Sequence, residues 1–248
     1  PRCPRRRRYE QVELLRQRVY GLALGYAHQD DQDTLAHDVG LKLAVWDRPG
    51  WRVLDERLAS QPSDWRLVNR LSSKDQRRAI NEALPVWVGR HQRAAGGGRK
   101  VVRGTLDINP FPIELHGEQQ GGAWHGHYHR KMYYPIVASF CAEGSYQSPR
   151  LGEGFIHAIL RRGDCGGAEG AVRFVKEAIR KARPLARHLD ARIDAGLVEG
   201  KVLDAIDDEG VSFVGRIKNN AILDKLAQPH LGRPPGRPTK EGDEFAVE

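Results

Sequence analysis

Two aspartates, each near the end of a run that reads as a buried strand, are the residues best placed to do chemistry. Asp107 lies in VVRGTLDINPFPIELHGEQ, Val101 to Gln119, where a β-branched apolar run meets an acid and is broken at once by Asn109 and Pro110. Asp194 ends a second such run, HLDARID, from His188. If the two strands are neighbours, Asp107 and Asp194 face each other, and facing carboxylates repel unless a cation sits between them. That pairing predicts a divalent-metal site. Two metals roughly 3.5–4 Å apart can activate a water or a 3′-hydroxyl and stabilise the leaving oxygen of a phosphodiester. The plainer alternative is that both acids merely turn the chain at strand ends, as aspartates do.

Other clusters are weaker. His116, His125, His127 and His129 suggest zinc, with the last three on one face of a strand, but no cysteine or acid stands at a spacing that completes a tetrahedral set. His116 reads better as a turn residue near the site. Gly163-Asp-Cys-Gly-Gly167 precedes a helix and could meet a phosphate there, yet it lacks the lysine of a nucleotide-binding loop. Cys165 has no partner histidine to make it a nucleophile. Arg161, Arg162, Arg216 and Lys218 fall at or just beyond strand ends and are candidate phosphate contacts, with a solvated face as the equal alternative. Arg233 and Arg237 sit in two Gly-Arg-Pro repeats that resemble minor-groove arms, though a linker explains them better.

The elements that must position these residues follow from periodicity. Residues 1–8 carry a like-charge run with two prolines and are expected to be a disordered basic tail. A helical region is expected over 9–98. Val12, Leu14, Leu15, Val19, Leu22 and Leu24 recur there at helical spacings, and Asp30, Asp31 and Asp33 cap a following helix. Leu58 to Leu71 reads as a loop or short helix. Ser73 opens another helix with a capping-box pattern, which Pro85 should kink or end early. Gly96-Gly-Gly98 marks the boundary. Over 99–228 the order is β-β-β-α-β-α-β. Its strands are Val101–Ile108, Met132–Cys141, Phe155–Arg161, the run ending at Asp194, and Val211–Ile217; helices run from about Ala168 to Ala182 and from Val198 to Asp208. The compact solution is a three-stranded antiparallel meander with two further strands added in parallel beside the first through right-handed crossovers. That is an RNase H-like mixed sheet, whose first and fourth strands end together where strand order reverses and where open α/β sheets bind ligands. Residues 229–248 are proline-rich, charged and extended.

The chain has 248 residues, enough for one sizeable core with a smaller helical region, and 40 basic against 32 acidic residues give a formal charge of +8. That balance favours a polyanionic partner, nucleic acid before membrane surface. Three cysteines without CxxC spacing indicate neither a disulfide framework nor a zinc knuckle, and point to a reducing, cytoplasmic compartment. No apolar run approaches the roughly 18 residues that span a bilayer, and PRCPRRRR lacks the apolar core of a signal peptide.

Several segments, in order, resemble the DDE-type insertion-sequence transposases: LLRQRVYGLALGY (14–26), LASQPSDWRLVNR (58–70), LDINPFPIELHGEQ (106–119), LRRGDCGGAEGA (160–171), RIDAGL (192–197) and GVSFVGRIKNNAILDKLA (210–227). The resemblance covers Tyr9 to Pro238. It implies an RNase H-like core that cuts double-stranded DNA at transposon ends and joins the 3′ ends to a target, using Mg²⁺ (or Mn²⁺) held by two Asp and one Glu. Asp194 matches the second aspartate. The first falls on a pair of positions that read Asp107 and Asn109 here, and either could reach the metal. The glutamate is expected beyond the proline-rich tail, so the chain reads as a truncated copy, or else as a DNA-binding remnant without catalysis. A second copy of the chain is a candidate partner.

Overall fold

The computed structural model describes residues 8–47, 50–95, 101–142, 153–217 and 220–228. Within them the chain forms two compact units, Pro1–Ile80 and Asn81–Glu248. The division falls inside one helix, whereas the glycines at 96–98, taken as the boundary on sequence, lie outside the described residues. So do the residues 1–7, Lys218, Arg233, Arg237 and the proline-rich tail.

The first unit is helical: α1 (Gln11–Ala23), α2 (Asp31–Leu35), α3 (Val39–Val45), α4 (Arg52–Asp55) and α5 (Gln61–Leu71), followed by the start of α6 (Lys74–Ala95). Its small core joins Leu35, Ala36, Leu41, Val45, Trp46, Val53 and Leu58. The acidic cluster does not cap α2 through a side chain; Asp33 instead accepts from the backbone N–H of Gln61 at the start of α5, and Asp38 caps α3 through Leu41 N–H. On α1 the apolar residues that recur at helical spacings are largely exposed. Val12, Leu15, Val19 and Leu22 face out, and the buried positions are Gln17 and Gly21. Gln17 explains the inversion: its amide bonds Gln32 Oε1 and both backbone groups of Ala59, so that polar side chain turns inward. Pro85 does not end α6, which continues to Ala95.

In the second unit a five-stranded sheet has the order β6-β5-β1-β7-β8: β1 (Val101–Pro110), β5 (Ile136–Ala142), β6 (Gly154–Ile159), β7 (Ala186–Ile193) and β8 (Ser212–Gly215). β1, β5 and β6 pair antiparallel, and β7 and β8 add in parallel on the other side of β1. This is the RNase H-like arrangement expected from the order of elements. The expected strand Met132–Cys141 is two strands, because Pro135 lacks the N–H that would continue one ladder. Its first part, β4 (Arg130–Tyr133), leaves the main sheet to pair with β2 (Ile113–Glu114) and β3 (Ala123–His125). The stretch between the first two expected strands thus contributes to a second, three-stranded sheet.

The helices α7 (Ala171–Ala182) and α8 (Gly200–Asp207) form the two crossovers and pack against each other. Strand alternation decides which residues they cover. Leu106, Ile108, Ala138, Phe140, Ala191 and Ile193 are buried with Phe174, Val175, Ile179, Val202 and Ile206 in one core. Thr105, Asp107, Asn109 and Arg192 take the alternate positions and lie on the other face. On the edge strand, Asn81 of α6 bonds both backbone groups of Ala158, which occupies part of the open ladder. A last helix, α9 (Ala221–Ala227), is capped by Asn220, whose Oδ1 accepts from Ile222 and Leu223 N–H.

Candidate active site

Register sets the geometry of the site. β1 and β7 are adjacent and parallel, as the sequence led us to expect, but Asp107 stands opposite Arg192 rather than Asp194. Ile108 pairs with Ile193, and the Asp194 N–H continues the ladder onto Ile108 O at 3.1 Å, which brings Asp194 level with Asn109. The two carboxylates therefore do not face each other. They are offset by two positions along the strands, roughly 6.6 Å of strand rise.

Asp107 is held on three sides. Arg192 forms a two-pronged pair with it, Nε to Oδ1 at 3.2 Å and Nη2 to Oδ2 at 2.5 Å, and Asn109 Nδ2 donates to Oδ1 at 3.0 Å. The Asp107 side chain is 21% exposed and that of Arg192 61%. Burial works to raise the acid's pKa, but the hydrogen bonds from Arg192 and Asn109, with the Arg192 charge, outweigh it and hold the carboxyl below its usual range. Asp107 lies in a hollow on the open face of the sheet with Arg103, Thr105, Ser139, Asp190 and Arg192.

Asp194 is exposed, and its Oδ2 accepts from Gly196 N–H at 2.8 Å in the turn after β7. It lines a different cavity, of about 600 Å³, walled by Trp124 to Tyr128, Tyr134 and the Gly163–Gly167 loop. The two acids thus border separate hollows on neighbouring strands.

The basic residues also divide. Arg161 is turned inward: Nε donates to Tyr134 O, Nη1 to the carbonyls of Gly166, Gly167 and Glu169, and the guanidinium lies 5.2 Å from the Tyr134 ring centroid. Burial lowers its pKa. Arg162 is exposed and forks onto Asp164 at 3.0 and 2.9 Å, and Arg216 is exposed just beyond β8. His125 ends β3, and His127 and His129 fall in the following turn, where His129 has φ 53, so the three do not share a strand face. Among the described residues no group of three His, Cys, Asp or Glu could hold a metal ion.

In chemistry, though not in placement, the donors suit a hard divalent cation, since the two acids border separate hollows. Two carboxylates and the Asn109 amide oxygen are oxygen ligands of the kind that Mg²⁺ and Mn²⁺ take, and Arg192 already supplies positive charge at Asp107. Sequence reasoning missed Arg192, which lines the hollow of Asp107, while Asp194, two residues later and just past the end of β7, lines the other. It also missed the aromatic wall of Trp124, Tyr128 and Tyr134, which the density of rings between residues 124 and 134 would have revealed.

The family model described as Transposase DDE domain group 1 matches residues 1–246. None of the curated proteins matches the chain. Among solved structures, a piggyBac transposase synaptic complex with hairpin DNA is 12% identical with a TM-score of 0.44, over 90% of this chain and 45% of that one. A Mos1 mariner paired-end complex with Mn is 11% identical with a TM-score of 0.29, over 93% of this chain and 67% of that one. This chain thus spans less than half the length of the piggyBac protein. With the family model matched along nearly its whole length, the chain belongs to the transposase DDE domain group 1 family.

Proposed function

We propose that this chain is the DNA-cutting core of a transposase, which hydrolyses phosphodiesters at transposon ends and transfers the 3′ ends to target DNA. The observation that carries this reading is the placement of Asp107 and Asp194 on adjoining parallel strands where the order of the sheet reverses. In this reading Asp107 and Asp194 hold Mg²⁺ or Mn²⁺, with Asn109 as a neutral oxygen ligand beside them. When bound, the ion activates a water or a 3′-hydroxyl and stabilises the leaving oxygen. Arg192 keeps Asp107 ionised, and because its guanidinium engages both carboxylate oxygens it has to give way when the ion binds. Arg162, Arg216 and Lys218 contact phosphates, Arg161 braces the Gly163–Gly167 loop, and Arg233 and Arg237 reach the minor groove or serve as linker. The partner is double-stranded DNA, favoured by the net charge of +8; a homodimer is the working assembly and the cytoplasm its location.

A specific observation favours a second reading, a DNA-binding remnant without catalysis: among the described residues no three-ligand metal group exists, and both oxygens of Asp107 are occupied by Arg192. Incubation of supercoiled DNA with the full chain and Mn²⁺ separates the two. Nicking that needs the metal and is lost in Asp194→Ala supports the enzyme. Binding that weakens steeply with salt, without nicking, supports the remnant.

A further inference from the structure

Helix α1 turns its polar side inward, and the packing that holds it so is specific. Its buried positions are Gln17 and Gly21. Gln17 Nε2 donates to Gln32 Oε1 at 2.8 Å and to Ala59 O at 2.7 Å, and its Oε1 accepts from Ala59 N–H at 3.0 Å. Gly21 lies so close to α2 that a Cβ on it would stand 3.3 Å from Gln32 Nε2 and 3.4 Å from Leu35 Cδ1. Turning the helix to bury its apolar side would break that amide network and leave buried groups unpaired. The apolar side is therefore held in solvent, with Val12 49% exposed, Leu15 44%, Val19 50% and Leu22 48%.

The spacing of this stripe points to its occupant. Steps of three, four and three residues put Val12 and Val19 at one position of a seven-residue repeat and Leu15 and Leu22 at the other, with Gln17 on the opposite side of the helix. Those two positions meet across a helix pair, and a β-branched residue at the first with leucine at the second favours two parallel helices. The flanking charges agree. Arg16 and Arg18 border the stripe, each anchored to an acid of its own chain, Asp47 at 2.6 Å and Asp64 at 3.6 Å. In a parallel pair Arg16 comes beside Gln11 of the second copy, and Arg18 beside Ala23. In an antiparallel pair each arginine would face its own counterpart, and like charges repel. A two-fold axis along the stripe makes the surface self-complementary, so association closes at two copies.

We infer that the exposed face of α1 is a dimer seam, which receives α1 of a second copy of this chain in parallel register. The inference names the surface for the homodimer proposed above and rests on that reading for its purpose. The stripe offers on the order of 300 Å² per copy, well below the roughly 800 Å² per partner of a standard stable interface. The pair is therefore weak alone. It is reinforced when both copies hold one DNA molecule, because the second contact then forms at an effective concentration in the millimolar range.

The test uses the full chain without DNA or divalent metal, so that association is measured apart from cutting. Sedimentation velocity should show a monomer–dimer equilibrium with a Kd on the order of 10–100 μM. It should persist in about 0.5 M NaCl, since the contact is apolar. Leu15→Lys and Val19→Lys each set two ammonium groups against each other across the axis and should raise the Kd at least about tenfold. An equimolar mixture of Leu15→Lys and Leu15→Glu should recover the dimer, because parallel packing places a residue against its own counterpart. Orientation is read separately: Leu22→Cys, in a chain whose native cysteines are replaced by serine, should cross-link to a dimer under a mild oxidant. Antiparallel helices would hold the two sulfurs roughly 15 Å apart, too far for a disulfide. Thermal melts check that each variant is folded, as the exposure of these positions leads us to expect. A monomer at all concentrations, a Kd unmoved by both lysine variants, or no cross-link in Leu22→Cys would overturn the inference. Metal-dependent nicking by a chain that stays monomeric would overturn this inference alone. A lysine-sensitive dimer that neither binds nor nicks DNA would overturn the DNA-cutting reading and leave the seam standing.

Discussion

Asp107 and Asp194 are the same residue type on adjacent strands of one sheet, yet the structure treats them in opposite ways. Asp107 sits mid-strand, largely covered, and is held by an arginine and an amide. Asp194 sits one residue past its strand, exposed, and accepts a backbone N–H in its own turn. The first carboxylate is anchored and already neutralised, and the second is available. A carboxylate pair on a sheet edge is therefore not symmetric: mid-strand placement exposes an acid to cross-strand partners, while a turn leaves it to whatever ligand arrives.

The sharpest way to break this contrast is by activity. Asp194→Ala should lower Mn²⁺-dependent nicking on the order of a thousandfold or more, read on supercoiled DNA. Unchanged nicking would remove Asp194 from the site. Next comes Arg192→Gln, which removes the resident positive charge from Asp107 and should tighten Mn²⁺ binding roughly tenfold, measured by electron paramagnetic resonance of the free ion. Weaker binding in that variant would mean that Arg192 supports the metal site rather than competing with the ion.

Stability should order the acids the other way round. Asp107→Asn leaves Arg192 without its carboxylate and should cost about 1 kcal/mol by urea unfolding, a figure kept small by solvent at the exposed guanidinium. Asp194→Asn should stay within about 0.5 kcal/mol of wild type. Acid unfolding adds a further separation. The folded pKa of Asp107 lies below the unfolded one, so its contribution is present above the unfolded carboxylate range, near pH 4, and is lost as pH falls through the folded value. His157 is also depressed, to about 4 from 6.5, by burial first and then by the Lys181 charge, against the opposing pull of Glu177 and Glu82. The unfolded chain then binds the extra proton, so His157 costs stability progressively as pH falls from about 6.5 to about 4. A pH series of urea midpoints should flatten across that window in His157→Gln and below it in Asp107→Asn.

Much of the second unit was legible before any coordinates. The β-branched runs, the amphipathic helix expected from about 168 to 182 and the right-handed crossover rule together specify the strand order and the neighbouring of β1 and β7. The helical unit was less legible, because Gln17 buries its amide against Gln32 and Ala59 while Val12, Leu15, Val19 and Leu22 point outward. A hydrophobic stripe identifies a helix but not the surface that it meets. Arg161 shows the same limit: an arginine at a strand end reads as a phosphate contact, yet its guanidinium is spent on carbonyls that only the folded loop brings to it.

By itself the sequence determined the order of the elements, the strand alternation that sets Asp107 and Asn109 on one face of β1, and the family. Each of these follows from local periodicity or from motifs read along the chain. Only the tertiary structure decided that Asp107 stands opposite Arg192, that Pro135 sends β4 into a second sheet, and that glycines at 163 and 167 close an aromatic cavity beside Asp194. Register and close approach depend on segments far apart in sequence, and a shift of a single residue along β7 would have exchanged every partner across that ladder.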